Sequence, residues 1–290
     1  MKKKFIISIL LFAVILASAC GKPDTQPDTE DSDTNDSNSE ETQPVIQDSP
    51  CNNIFYPLAL DNQWIYQIQI ERENGLPEIS ELALTVSEVN ESSAVLAALD
   101  YDTGIVTQST AECKDGSIIN FPMTEMNMVF GEVAGDMLFQ YNSGVFMPSH
   151  TDFEAENWTN KWETDFTASG IINGTYDNET VTVNLSESPV KMSWQVIEKD
   201  VTIQVPAGNF NDAVLIKRKL TFDAVSLKTI IEGQVIDIST TLIINSNMWY
   251  SPYIGLLKQE LDSATINLYG IDFPIESIGK IELKSTNTIE

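Results

Sequence analysis

Residues 64–70 read WIYQIQI, and from Tyr66 onward large apolar and polar side chains alternate. This period of two is typical of a half-buried β-strand, and it places Trp64 and Tyr66 on the same face. Short runs rich in β-branched and aromatic residues recur along the chain, separated by turn residues. They cover residues 81–86, 94–98, 104–108, 117–121, 180–185, 201–205, 213–217, 235–244, 264–269 and 280–284.

Helical periodicity is weak, because no long run of the sequence has a clean apolar period of 3.6 residues. Residues 124–138, which are rich in methionine, are the best candidate for a short helix or a covering loop. The tripeptide KDG at 114–116 predicts a hairpin turn, and NES at 90–92 predicts another turn. Many short strands with turn signals indicate a mainly β protein that forms an antiparallel sheet, a barrel or a sandwich.

The N-terminus has the pattern of a bacterial lipoprotein signal peptide. Lysines at positions 2–4 precede an uncharged run from Phe5 to Ala19, shorter than the roughly 20 residues of a spanning helix. The run ends ASAC at 17–20, which resembles the lipobox, although the usual leucine is one place early. We therefore expect residues 1–19 to be removed and Cys20 to carry diacylglycerol and palmitate, whose several chains anchor stably. The alternative is an ordinary secretory peptide cut after Ala19.

Residues 20–50 are expected to form a disordered acidic tether, since they hold too few apolar side chains to fold. Residues 31–36 resemble the start of a calcium loop, but Asp36 and Thr42 stand where glycine and glutamate are needed. A solvated spacer is the favoured interpretation. Residues 51–290 then suit one large β-rich domain or two small ones.

The charge and the cysteine content limit which ligands and which covalent links are expected. With 16 basic and 43 acidic residues the net charge is −27, which disfavours binding to nucleic acid or anionic head groups. Beyond Cys20 only Cys51 and Cys113 remain, and in an exported domain this pair predicts one disulfide at the start of the domain. A single histidine gives no basis for a metal site, and no cofactor is expected.

Three segments carry a resemblance to a known family. YPLALDNQWIY at 56–66, VPAGNF at 205–210 and WYSPYIGLLK at 249–258 resemble, in this order, elements of the TapB-like domain of unknown function. The sheet of that family is similar to the half-open barrel of LolA/LolB-type lipoprotein carriers. The resemblance implies a large curved antiparallel sheet or half-open β-barrel with few short helices, and it implies no reaction. Asp61 stands where the family prefers glycine, and aspartate tolerates the left-handed turn.

The same segments have a physical interpretation. Pro206 to Gly208 predict a tight turn in which Gly208 takes a positive φ, and Gly255 permits a bend or bulge after an aromatic pair. The aromatic residues are candidates either for core packing, which is favoured, or for ligand binding. The candidate ligand residues are Trp64, Tyr66, Trp249 and Tyr250.

Catalytic patterns are weak, so enzymatic activity stays open and a non-catalytic protein is favoured. His150 has Ser149 and Asp152 nearby, but neighbours in sequence align poorly as a triad. There is no esterase, zinc or phosphate-loop motif. One cluster of alternating carboxylates next to tryptophans could bind a sugar or Ca²⁺, although a solvated strand edge or loop is the favoured interpretation. It comprises Asp152, Glu154, Glu156, Trp158 and Trp162.

The leading hypothesis is a lipid-anchored, non-catalytic envelope protein that binds an apolar ligand or a protein partner. A carbohydrate-binding or glycoside-acting module and a structural envelope component are the alternatives. The residue after Cys20 is Gly21 and not the aspartate that retains some lipoproteins in the inner membrane. This favours the outer membrane or cell surface as the location. An apolar ligand would contact the concave face of the sheet, predicted to carry Trp64, Tyr66, Ile68, Val214, Ile216, Leu242, Ile244, Trp249 and Leu256.

Overall fold

The computed structural model describes residues 49–70, 77–120, 137–176, 179–231, 234–268, 271–274 and 279–289. The predicted signal peptide, Cys20 and nearly all of the tether lie outside the described residues. Most of the methionine-rich segment at 124–138 also lies outside them, and only its last two residues are described, at the start of a strand.

Within these ranges the chain forms thirteen strands and one short helix, so the expectation of a mainly β protein is confirmed. No helix of the described part is long and apolar enough to cross a membrane. The elements are β1 (Gln63–Ile70), β2 (Glu78–Val89), β3 (Ser93–Asp100), β4 (Val106–Lys114), β5 (Ser117–Asn120), β6 (Met137–Gly144), α1 (His150–Ala155), β7 (Lys161–Tyr176), β8 (Glu179–Val205), β9 (Gly208–Ile231), β10 (Gln234–Ser251), β11 (Gly255–Leu268), β12 (Ile271–Pro274) and β13 (Gly279–Thr286).

Each run predicted to be a strand falls largely within one of these strands. The runs at 180–185 and 201–205 are two parts of β8, whose middle keeps a period of two. Val190, Met192, Trp194 and Val196 are buried there while the residues between them are exposed or half-buried, so the strand continues.

All strands belong to one antiparallel sheet, in the order β5-β4-β3-β2-β1-β13-β11-β10-β9-β8-β7-β6, with β12 paired to β11. The sheet curls into a nearly closed barrel shape with an unsealed seam, which confirms the predicted fold class. The seam lies between β5 and β6. Ile118 and Met147 bridge it, each donating its N–H to the other's carbonyl oxygen at 2.8 and 2.9 Å.

The first described segment covers one end of the barrel, which we call the tether end. Ile54, Phe55 and Leu58 are buried there, and Cys51 is disulfide-bonded to Cys113 on β4, with the two Cα atoms 5.3 Å apart. The N-terminal boundary of the described domain, at residue 49, therefore lies at this end of the barrel.

Turn chemistry follows the sequence closely. The Asp115-Gly116 turn joins β4 to β5 with positive φ at both residues, 51° and 80°. Asp61 adopts a φ of 65°, and Gly208 after the β8–β9 turn has a φ of 146°. These left-handed or glycine-type conformations are the ones that the sequence predicts at these positions.

Buried side chains form a continuous cluster on one face of the sheet, here called the inner face. Of the residues predicted to line the concave face, six are buried in this cluster, and Ile68 and Leu242 pack partly against it. Trp249 also packs partly against the cluster, but from the other face of the sheet. Its neighbours Met248 and Tyr250 are both fully buried, so the alternation of the strand places Trp249 on the outer face, and its predicted inward orientation is wrong.

Candidate functional site

A half-open cleft of about 460 Å³ lies across β7, β8, β9, β10 and β11. Ten of the twelve residues that line it are polar or charged. It is lined by Lys161, Trp162, Glu163, Ser193, Trp194, Gln195, Lys217, Arg218, Lys219, Asn245, Ser246 and Asp262.

The period of two in the strands places this cleft on the outer face. Trp194, Arg218 and Ser246 are at most 2% exposed and belong to the inner face. Only their main chain can therefore form part of the cleft floor. The walls come from the alternate residues, which point away from the core.

Cross-strand register brings the outward side chains together in two rows. In one row Gln195 on β8 is paired with Lys161 on β7 and with Lys217 on β9. In the other row Ser193 is paired with Glu163 and Lys219, and Lys219 with Asn245 on β10. The small Ser193 side chain lies between two long ones, and this difference in length leaves the open volume.

Electrostatics distinguish the lysines of the site. Lys191, which follows the second row, contacts the carboxylates of Glu163 and Asp165 at 3.2 and 3.5 Å. The hydrogen bond to Glu163, followed by the charge of Asp165, raises the pKa of Lys191. Glu163 is thus already paired with a cation outside the cleft lining.

Lys161, Lys217 and Lys219, by contrast, form no ion pair with any residue in the described part of the chain. Strand spacing places the Cα atoms of Lys217 and Lys219 roughly 7 Å apart, and those of Lys161 and Lys217 about 10 Å apart. Three of the 16 basic residues in a chain of net charge −27 therefore converge on one cleft. We call these three residues the lysine triad.

The inner face supports the cleft from below. The indole rings of Trp162 and Trp194 stack with centroids 5.8 Å apart and an interplanar angle of 9°. Trp162 Nε1 donates to the Phe146 carbonyl oxygen at 2.9 Å, and Arg218 donates to Ser246 Oγ at 3.2 Å. These buried contacts hold the strands beneath the lysine triad in one arrangement.

The four candidate ligand residues do not converge on a common site. Trp64, Tyr66 and Tyr250 are buried, and the Tyr250 and Tyr56 hydroxyl oxygens lie 3.1 Å apart. Trp249 lies on the outer face, where Lys258 Nζ is 5.4 Å from the centre of its ring. The geometry favours packing as the role of the three inner residues, and their ligand role stays a prediction.

Asp152 and Glu154 of the acidic and aromatic cluster lie in the helix α1, so the favoured expectation of a strand edge or loop is wrong for these two residues. Ser149 caps α1, and its N–H and Oγ both donate to the Asp152 carboxylate, at 3.1 and 2.7 Å. His150 is the first residue of this helix and contacts Glu154 at 3.3 Å.

The tryptophans of that cluster pack inward instead of forming a sugar platform. Trp158 stacks on the buried Phe153 at 5.4 Å, and Trp162 meets the same ring edge-on at 5.4 Å. Among the described residues no group of three or more His, Cys, Asp and Glu side chains could hold a metal ion. Packing against Phe153 thus accounts for both tryptophans, and Trp162 also lines the cleft described above.

The cleft is not evident from the sequence alone, although the sequence carries one signal for it. Residues 217–219 read KRK within a β-run, and in a strand the outer two side chains share one face while the middle one points to the other. The pairing of this face with Lys161 could not be predicted, because it depends on the register of two further strand pairs.

Comparisons with known proteins give two solved structures. No protein-family model matches the chain, and no curated protein matches it. A candidate exported protein with a YmcC-like fold from Bacteroides fragilis is 14% identical, with 81% of this chain and 99% of that chain covered and a TM-score of 0.45. A candidate lipoprotein from Parabacteroides distasonis is 16% identical, with 83% and 100% covered and a TM-score of 0.46. This likeness transfers no function, and the resemblance to the TapB-like domain is not confirmed.

Proposed function

We propose that this chain is a non-catalytic binding protein of the bacterial cell envelope, which takes up a polar ligand on the outer face of its sheet. The observation that carries the proposal is the contrast between the two faces. The inner face is occupied by a continuous cluster of buried side chains, whereas the outer face bears the cleft of about 460 Å³. A volume of this size is in the usual range for small-ligand sites.

The envelope location rests on the N-terminal sequence. An uncharged run ending in the lipobox-like ASAC at 17–20 supports lipidation of Cys20, with the outer membrane or cell surface as the destination. The acidic segment that follows would hold the domain away from the lipid surface, because like charges extend a tether. The domain would then present its outer face to ligands in the surrounding compartment.

An apolar ligand is less well supported than a polar one. The aromatic residues at the tether end are already packed against one another, for example Phe55 against Phe153 with ring centroids 5.2 Å apart. The filled inner face instead favours, as a second candidate, a structural component of the envelope that binds no small ligand.

Native mass spectrometry of the full-length protein, released gently from membranes, tests the proposal. We expect the wild type to retain a polar ligand that the double variant Lys217→Glu/Lys219→Glu loses. Lys114→Glu/Lys284→Glu is the control for the added negative charge, since both lysines are exposed and lie outside the cleft lining. A wild type that carries no ligand, or a ligand retained by both double variants, would support the structural candidate instead.

A further inference from the structure

We propose that the cleft binds the anionic group of a small hydroxyl-rich molecule, namely a sugar acid or a sugar phosphate, and that the lysine triad holds the charge. This inference rests on the proposed function and adds the chemical class of the ligand. The charge balance of the cleft, its neutral polar groups and its size support this class of ligand.

The charge balance of the cleft is positive in an otherwise acidic protein. Its lining contains two carboxylates, and one of them, Glu163, is paired with Lys191 at 3.2 Å. The lysine triad therefore faces only one further carboxylate, that of Asp262. Their Cα atoms lie roughly 7 to 10 Å apart, so the three like charges repel one another, and an anion placed between them removes that repulsion.

The lysine side chain suits this role geometrically. An ammonium group is a compact charge with three donors on a flexible stem, so several lysines can adjust to one carboxylate or phosphate. Lys161 and Lys217 flank the cleft from β7 and β9, and Lys219 lies one pleat further along β9. They approach the open volume from two sides of the central strand.

Neutral polar groups lie beside the cations, and one of them, Asn245, already donates its amide to Ser263 Oγ at 3.0 Å. Ser193 and Gln195 are outward on the central strand β8, and Asn245 is outward on β10. Hydroxyl and amide side chains both donate and accept hydrogen bonds, which matches the hydroxyl groups of a sugar. A bare inorganic anion would leave these groups to water, whereas a sugar acid or sugar phosphate engages both sets.

Size argues for a small molecule and against a macromolecular surface. The cleft of about 460 Å³ is within the range of 300–1,000 Å³ that is typical of small-ligand pockets. Polymeric anions such as nucleic acids would also meet the rest of the protein, and they would be repelled because the whole chain has a net charge of −27.

Isothermal titration calorimetry on the full-length protein in detergent tests the inference with glucuronate, glucose 6-phosphate and glucose. We expect at least one of the two anionic sugars to bind, and neutral glucose to bind at least about tenfold more weakly, since hydrogen bonds to charged groups are the stronger ones. Binding of glucuronate alone identifies the sugar acid as the ligand class. Binding of glucose 6-phosphate alone identifies the sugar phosphate, and binding of both identifies anionic sugars in general.

Variants locate the binding and control for folding. Lys217→Gln and Lys219→Gln remove the charge but keep a polar side chain only one atom shorter, and each should weaken anion binding about tenfold while the circular dichroism spectrum stays unchanged. Lys114→Gln, outside the cleft, should bind as the wild type does. Glucose binding as tightly as the anions, or unchanged binding in both cleft variants, would overturn the inference.

Failure of the inference can be separated from failure of the proposed function. If neither anionic sugar binds although native mass spectrometry finds a ligand that depends on the cleft, the anionic class is wrong and the binding function stands. If native mass spectrometry finds no ligand and neither anionic sugar binds, both are wrong.

Discussion

The indole Nε1 of Trp64 donates a hydrogen bond to the main-chain oxygen of Ile254 at 2.6 Å, and both residues are buried. This bond links the first strand of the sheet to the turn between β10 and β11, 190 residues later in the chain. It gives Trp64 a structural role that a ligand-binding residue would not need.

Replacing Trp64 with phenylalanine should lower the free energy of unfolding by about 1–3 kcal/mol, because the Ile254 oxygen loses its donor while staying buried. Urea denaturation followed by circular dichroism measures the change. Trp249→Phe is the matched control, since Trp249 lies on the outer face and is only partly buried. Equal effects of the two substitutions would contradict the structural role assigned to Trp64.

Gly255 packs against the same indole. Its φ is 110°, and a Cβ added to it would lie 3.3 Å from Trp64 Nε1. We expect Gly255→Ala to lower the free energy of unfolding by about 2–3 kcal/mol through backbone strain and crowding. Gly104 has a φ of 72°, and a Cβ added there would meet no atom within 4 Å. Gly104→Ala should therefore lower the free energy of unfolding only by the backbone strain, about 1 kcal/mol. The same urea titration compares the two, and a Gly104 effect as large as that of Gly255 would exclude the crowding.

The disulfide between Cys51 and Cys113 closes a loop with a sequence separation of 62. In the chain-entropy account of disulfides, removing both sulfurs as Cys51→Ala/Cys113→Ala should lower the free energy of unfolding by about 4 kcal/mol. The loss should begin at the tether end, where hydrogen exchange of the residues around Phe55 would rise first. A peptide map that shows both thiols free in protein purified from the envelope would refute the pairing in the cell.

Lipidation of Cys20 is tested by metabolic labelling with a fatty acid. Cys20→Ala should take up no label and should move to the soluble fraction, because the thiol that accepts the lipid is gone. Cys113→Ala should remain labelled and membrane-bound. A wild type without label would favour the alternative of an ordinary secretory peptide cut after Ala19.

The local pattern of the sequence determined the strands and turns of this protein. Alternation from Tyr66 onward, the KDG hairpin and the conformations of Asp61 and Gly208 follow from side-chain periodicity and from backbone sterics. Such signals act over a few residues, so they can be predicted without knowing the partner strands. Once Cys20 is assigned to lipidation, Cys51 and Cys113 are the two cysteines left to pair, and the structure joins them in a disulfide.

Local signals were insufficient where a face or a partner depends on distant residues. Trp249 was predicted to point inward, but the two neighbouring side chains of β10 are the buried ones. The helix at 150–155 forms because Ser149 and Asp152 cap it, although carboxylates beside tryptophans had indicated a loop or strand edge. For Trp249 the choice of face is made by packing against other parts of the chain, whereas the capping pair of Ser149 and Asp152 is a local signal that the sequence carries three residues apart.

The candidate site itself belongs to the tertiary structure. The sequence alone determined that residues 217 and 219 share one face of a strand, since side chains alternate. Only the register of β7 with β8 and of β8 with β9 decided that Lys161 joins them across Gln195. Register depends on the whole sheet, because a slip by one residue would exchange the inner and outer faces, and burial of the inner side chains excludes that slip.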